Sequence, residues 1–305
     1  MRKPRRRERA DPDADLPVSR LQRRSRKAWR RIHKVASRLP AGACQRVHYL
    51  LWYLRPLPLR RPRTYTQRVF AKMARDRDPL LTTTTDKLAV RGYAEQRVGD
   101  GHLTELYAVL DDPEALLDIS LPPRYVVKPT HGSGMREIVL TDSPQRRASV
   151  AASARRWLAR EYWRRNGEWA YKGVTPRILV EEFLDAGGGQ PPTDWKWFCF
   201  GGKAELVEAI IDRLGACMRT FYTVEGEYLD LRQFHRRWPA VAVPPTLGSM
   251  RKLAERLSEP FEFVRVDLYA LGERIVVGEL THYPTAGHKP LDPPEWEVRL
   301  GAVWA

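Results

Sequence analysis

Two short segments near the C-terminus have residue types and spacing suited to phosphate chemistry. In FVRVDLY (263–269), Arg265 and Asp267 are two apart and share a face if the segment is a strand. In GELT (278–281), Glu279 and Thr281 do the same. The two read as a hairpin with strands over residues 263–270 and 274–280. With Leu271, Gly272 and Glu273 as a three-residue loop, Arg265 stands opposite Glu279 and Asp267 lies diagonally beside it. A two-residue loop throws Glu279 onto the other face, because register has a parity. Carboxylates so placed repel unless a cation joins them. Mg²⁺ takes one or two carboxylates together with phosphate oxygens and water, and Arg265 would stabilise charge on a phosphoryl group in transfer. A structural Arg265–Glu279 pair with an unrelated Asp267 fits the pattern equally well. A zinc site drawn from Glu279, His282 and His288 lacks ligand spacing and is disfavoured.

Three other segments supply polar groups beside apolar runs. Lys128 ends a strand over residues 124–129 and is followed by His131, Gly132, Ser133 and Gly134. A lysine there can neutralise a phosphate, and glycines let backbone N–H groups approach one. An ordinary loop entry looks the same. His131 suits a phosphate contact better than a catalytic base. In RILVEEFLD (177–185) an apolar strand ends in Glu181 and Glu182, which suits either an adenine read by backbone and an acidic acceptor, or a plain buried strand. In DWKWFCF (194–200), Asp194, Lys196, Phe198 and Phe200 face one way, so Lys196 lines a cleft or joins a solvent-exposed ion pair. There is no Walker A motif and no GxGxxG.

The elements that must position these groups follow from periodicity. Helices are expected over residues 83–98, from the Ser143-Pro144 start with an apolar stripe running to Tyr162, and over residues 247–258. A hairpin is expected through Gly201 and Gly202. Strands mixed with helices in two batches indicate an α+β protein with two lobes. The 305 residues, 43% hydrophobic, suffice for that core. The net charge of +16 lies wholly in residues 1–63, which hold 20 Lys/Arg and 4 Asp/Glu. This basic arm is expected to be disordered over residues 1–20. Over residues 21–63 it either lies on an anionic membrane or packs on the body; a nucleic-acid role is less favoured. Cys44, Cys199 and Cys217 give no disulfide framework, and residues 1–38 hold no apolar leader run. The chain therefore reads as cytoplasmic, at most peripheral at the inner membrane face.

Taken in order, these segments resemble the TupA-like (teichuronopeptide-biosynthesis) ATP-grasp family. The resemblance is carried by DK (86–87) with RGY (91–93), YVVKPTHGSG (125–134), EWAYK (168–172), PRILVEE (176–182), DWKWFCFG (194–201), FVRVDLY, GELT and PEW (294–296). It implies an ATP-grasp fold in which two α+β lobes clasp ATP: a helical segment 64–120, a lid lobe 121–185 and a catalytic lobe 186–305. By this resemblance Lys87 and Lys128 bind phosphates, and the segment from His131 to Gly134 covers them. Glu181, Glu182 and Leu184 surround adenine and ribose, and Asp267 and Glu279 hold Mg²⁺. Many superfamily members have Asn two residues after the metal Glu, where this chain has Thr281. The implied chemistry is ATP-dependent ligation through an acyl phosphate, on a saccharide or amino-acid substrate of cell-surface polysaccharide assembly. A kinase, a glycosyltransferase-like enzyme and a non-catalytic binding protein are the alternatives.

Overall fold

Residues 35–211, 217–233 and 238–304 are described by a computed structural model. The expectation for residues 1–20 lies outside them. The described helices are α1 (Ala41–Tyr53), α2 (Tyr65–Arg75), α3 (Pro79–Thr85), α4 (Ala89–Val98), α5 (Pro144–Leu158), α6 (Leu247–Ser258) and α7 (Glu295–Val303). Strands β1 (Leu106–Leu110), β2 (Tyr125–Pro129), β3 (Glu137–Val139) and β4 (Ile178–Glu182) make an antiparallel sheet in the order β1-β4-β2-β3. The second sheet is built from β5 (Asp194–Phe200), β6 (Lys203–Ile211), β7 (Met218–Tyr222), β8 (Tyr228–Leu229), β10 (Phe263–Leu271) and β11 (Arg274–Thr281). Its order is β11-β10-β5-β6-β7-β8, and β9 (Arg232–Gln233) pairs separately with β12 (Leu291–Asp292).

In the first lobe, α5 starts as expected: Pro144 occupies its first turn and the Ser143 side chain accepts the Arg146 amide. Its residues Val150, Ala154 and Trp157 pack on Tyr125, Val127, Ile178 and Val180. Strand alternation then turns Lys128 and Glu181 to the opposite side, away from α5. β1, expected within a helical segment ending at residue 120, pairs with β4 in this sheet. The first lobe therefore begins before residue 121, because β4 has a second edge that only β1 fills.

In the second lobe α6 packs its Met250, Leu253, Ala254 and Leu257 against β5, β6 and β10. The other face of that sheet is graded. At one end Phe198 and Phe263 meet the edge of Tyr65 from α2, and Phe263 stacks on Trp304. At the other end the same face carries the charged residues. α2 begins with a reciprocal cap, in which Thr64 and Gln67 satisfy each other's backbone amides. α7 is locked to it by Glu297, which accepts from the Thr66 amide at 2.9 Å and hydroxyl at 2.7 Å.

Two expectations are corrected. The helix over residues 83–98 is two helices. Asp78 caps α3, with Pro79 in its first turn, and Asp86 turns extended and accepts the Leu88 amide at 2.8 Å. Lys87 thus sits at a break rather than on a helix face. The basic arm does not end at residue 63, because α1 buries Cys44, Gln45, His48 and Tyr49, and Leu57 and Leu59 continue into the core. The Tyr53 hydroxyl donates to the Gly287 carbonyl at 2.6 Å, and Trp52 stacks on His288.

Candidate active site

The hairpin β10–β11 brings Arg265, Asp267, Glu279 and Thr281 together by a route other than the expected one. Leu271 pairs with Arg274, so the turn has two residues, and parity alone would separate the carboxylates. A bulge restores them: Leu268 pairs with Val277 but Asp267 with Glu279, leaving Gly278 as the extra residue. Asp267 therefore faces Glu279 directly, and Arg265 faces Thr281 rather than Glu279. The bulge uses the missing side chain of Gly278, where a Cβ would lie 2.7 Å from the Tyr269 ring and 3.2 Å from the Asp267 carbonyl oxygen. Gly278→Ala is expected to cost about 1–3 kcal/mol of stability by overpacking, read by thermal melting, and to lower turnover by displacing Glu279. Wild-type melting and turnover would show that the bulge tolerates a side chain.

Asp267 is buried and surrounded by cations. Arg265 donates Nε to its Oδ1 and Nη2 to its Oδ2, both at 2.7 Å. Lys196, opposite it on β5, forms a close ion pair with it and another with Asp194 at 2.8 Å. Asp194, Lys196 and Asp267 are all nearly inaccessible to solvent, so the solvent-exposed ion pair is ruled out. Arg265 also reaches Thr281 Oγ1 at 3.1 Å and Glu279 Oε1 at 3.5 Å, and the Thr281 hydroxyl donates to Glu279 Oε1 at 3.2 Å. Burial pushes the Asp267 carboxyl up, to about 6, against the pull of Arg265 and Lys196. Burial alone would lower the Arg265 guanidinium, but Asp267 and Glu279 overcome it and hold Arg265 above its ordinary range. Further along this face, Glu208 opposes Lys196 on β6 and accepts from Arg219 at 2.8 Å.

The first lobe contributes Lys128 and a glycine loop, and the break between α3 and α4 contributes Lys87. Lys128 and Glu181 form a close ion pair on the side of the sheet away from α5, and Thr104 donates to Glu181 at 3.1 Å. Lys87 donates to the Gly132 carbonyl, tying the helix break to the loop. Burial lowers the Lys87 pKa, opposed by the charges of Glu279 and Glu181, and Lys128 lowers it further. Lys87 thus feels the charges of Lys128 and Glu181 from the first lobe and of Glu279 from the second. Gly132 and Gly134 have positive φ of 130° and 73°, which glycine adopts without strain. A Cβ on Gly132 would collide with Met135 and Tyr162, whereas Gly134 is open on its outer side and Ser133 is exposed. The loop is thus packed underneath, with Ser133 and Gly134 exposed above.

Not every expected residue joins this arrangement. The His131 ring is buried and Nε2 lies 3.1 Å from the Trp157 carbonyl, so its side chain anchors the loop to α5 instead of meeting a phosphate. Glu182 points to the other side of β4 from Glu181. It accepts from Arg274 at 2.8 and 2.9 Å and from the Glu105 amide at 3.1 Å, joining the lobes across β4 and β11. Leu184 is buried beyond the strand end. The Val277 amide adds a second bridge, donating to the His102 carbonyl at 2.7 Å.

Sequence reading missed Glu168, which is buried beside the loop's support. Asn166 donates to it at 3.0 Å, and burial pushes its carboxyl up to about 7. The acid's folded pKa lies above its ordinary value, so this group's stabilisation is full below about pH 4.5 and is lost as pH rises through 7, on the order of 3 kcal/mol in all. Glu168→Gln is expected to flatten that part of the melting-temperature profile; an unchanged slope between pH 5 and 8 would refute it. A buried acid in a run of aromatics was the available signal.

Comparison with known proteins fixes the family. The chain belongs to the TupA-like ATP-grasp family, whose model matches residues 67–305, and its α+β fold is the ATP-grasp fold. No curated protein matches the chain. Among solved structures, D-alanine–D-alanine ligase from Helicobacter pylori is 16% identical, with 73% of this chain and 61% of that chain covered and a TM-score of 0.46. The D-alanine–D-alanine ligase from Bacillus anthracis complexed with ATP gives 14%, 67%, 57% and 0.40. The ATP-grasp ligase PsnB complexed with minimal precursor gives 11%, 74%, 61% and 0.40. This chain thus spans about three-fifths of the length of these structures, and likeness at this level carries no argument about substrate.

Proposed function

We propose that the protein is an ATP- and magnesium-dependent ligase that activates a carboxylate as an acyl phosphate and passes the acyl group to an amine or another nucleophile. The observation that supports it best is Lys87, which is tied to the glycine loop and feels the charges of Lys128 and Glu181 from one lobe and of Glu279 from the other. The donor set fits both partners: hard oxygen donors in Asp267, Glu279 and Thr281 suit Mg²⁺, and two lysines beside the exposed Ser133–Gly134 turn suit phosphates. Bound there, Mg²⁺ would neutralise charge on the phosphates.

The chain's own residues do the rest. Lys87 and Lys128 hold the phosphates and the segment from Gly132 to Gly134 covers them, while Glu181 and Leu184 lie at the nucleoside end. Arg265 and Lys196 are fixed cations aimed at the phosphoryl group, pre-oriented by Asp267 and Asp194. A substrate carboxylate oxygen bonds to the γ-phosphorus as its bond to the β–γ bridging oxygen breaks and ADP leaves. The nucleophile then attacks the acyl carbon, loses its proton, and inorganic phosphate leaves. A saccharide or amino-acid substrate of cell-surface polysaccharide assembly is the class we assign.

Incubation with ATP, Mg²⁺, hydroxylamine and a panel of uronic and amino acids tests the reading. Hydroxamate with equal ADP is expected. A stable phosphorylated product would make the protein a kinase, and sugar transfer without ADP a glycosyltransferase. Lys128→Ala is expected to weaken ATP by about 10–100-fold while adenosine is little changed, because a charge-assisted phosphate contact is worth about 1.5–3 kcal/mol. Equal loss for both ligands, by calorimetry, would leave Lys128 only as the partner of Glu181.

A further inference from the structure

Helix α1 has its polarity reversed for a surface helix. Its inward side carries Cys44, Gln45, His48 and Tyr49, all buried, two of them polar. Its outward stripe is aliphatic: Ala43, Val47, Leu50, Leu51 and Leu54 fall within about 100° of one another at 100° per residue. Leu50 is 50% and Leu54 75% exposed. Leu54 is moreover the C-cap, in the left-handed region at φ 53°, where glycine or asparagine ordinarily serves. The chain thus places a leucine in water at a position whose backbone disfavours it.

The surrounding charge has one sign. Residues 16–75 contain 17 Lys/Arg and no Asp/Glu. Arg38, Arg46, Arg55, Arg60, Arg61 and Arg63 are exposed. A second copy of the chain would bring like charges together. A nucleic acid would meet the arginines and leave the leucines in water. An aliphatic stripe on a convex helix, set among basic side chains, matches the boundary of an anionic lipid layer, where acyl chains lie beneath phosphate headgroups. With 13 residues α1 is too short to cross a membrane, and no described helix is long and apolar enough to do so.

We propose that α1 is an interfacial helix that seats the protein on an anionic membrane, with Leu50 and Leu54 entering the acyl boundary and Arg46 and Arg55 meeting headgroup phosphates. This site stands apart from the catalytic reading and survives its failure. The full chain is sedimented with vesicles of phosphatidylcholine alone, or with one part in three replaced by phosphatidylglycerol. Binding is expected only to the second, and to weaken as salt rises and the Debye length shrinks. The variant Leu50→Glu with Leu54→Asn is expected to lower the partition coefficient about tenfold or more. It should keep the melting temperature, since both side chains are exposed and asparagine suits the left-handed cap. Leu117→Glu, at an exposed leucine of the first lobe, should bind as wild type. Failure of the wild-type chain to bind anionic vesicles, equal binding to both vesicles, or full binding by the double variant would overturn the proposal.

Discussion

Asp267→Asn and Glu279→Gln are expected to abolish turnover alike and to part company in stability. Both remove an oxygen donor from the place assigned to Mg²⁺, and a loss of about 10³-fold or more in turnover is the scale for a group acting on charge in the transition state. Their folded surroundings differ. Asp267 is buried between Arg265 and Lys196, so its neutralisation leaves two buried cations short of their shared partner. Breaking a buried pair from one side costs about 3–5 kcal/mol. The Glu279 side chain is 31% exposed and meets Arg265 at 3.5 Å, so losing its charge should cost about 1 kcal/mol or less. Relief of its repulsion with Asp267, directly opposite, acts in the stabilising direction. The carboxylate pair is thus not simply two repelling charges: Asp267 is compensated by protein cations, which the hairpin pattern alone did not reveal. Melting without nucleotide or metal, beside ADP release as Mg²⁺ is raised, separates the two effects. Equal destabilisation, or wild-type turnover in Glu279→Gln, would remove the assignment.

Deletion of residues 1–63 is expected to abolish cooperative unfolding. The removed stretch holds the buried residues of α1 together with Leu57 and Leu59, which belong to the second lobe's core. Burying a large apolar side chain contributes about 1.5–3 kcal/mol, and Tyr49, Leu57 and Leu59 together approach the whole stability of a typical domain. Deletion also removes the Arg63 amide that donates to Gln67 at 2.8 Å beside the cap of α2. Gly301 shows how close that segment lies: a Cβ there would sit 2.0 Å from the Arg63 carbonyl oxygen. Heat denaturation followed by circular dichroism decides the matter; a sharp transition near that of the full chain would restore the boundary at residue 63.

Local pattern carried much of the architecture. Residues 247–258 form α6 as expected, since Met250, Leu253, Ala254 and Leu257 recur at helical spacing. The hairpin through Gly201 and Gly202 and the Ser143-Pro144 helix start are also present. These features depend on neighbours within a few residues, where steric preference and hydrogen bonding act directly. The helix break at Asp86 was available in part, because Asp78-Pro79 marks one start and Asp86 can mark another. At α1 composition left packing on the body and membrane contact both open, and the burial of Tyr49, Leu57 and Leu59 shows the packing, although not the boundary at residue 63.

By itself the sequence determined the two α+β lobes, the TupA-like ATP-grasp resemblance from about Tyr65 onward, and the residues Lys87, Lys128, Lys196, Arg265, Asp267 and Glu279 as a set worth placing together. Tertiary structure decided how they meet. The two-residue turn would have split the hairpin pair, and the bulge at Gly278 rejoined it. Pairing with β5 put Lys196 against Asp267, and packing against α5 turned the His131 ring away from the cleft. The reason is the range of the forces involved. Periodicity and capping are fixed by residues close in the chain, whereas register, burial and the partner of a charge depend on strands that are distant in sequence and adjacent only once folded.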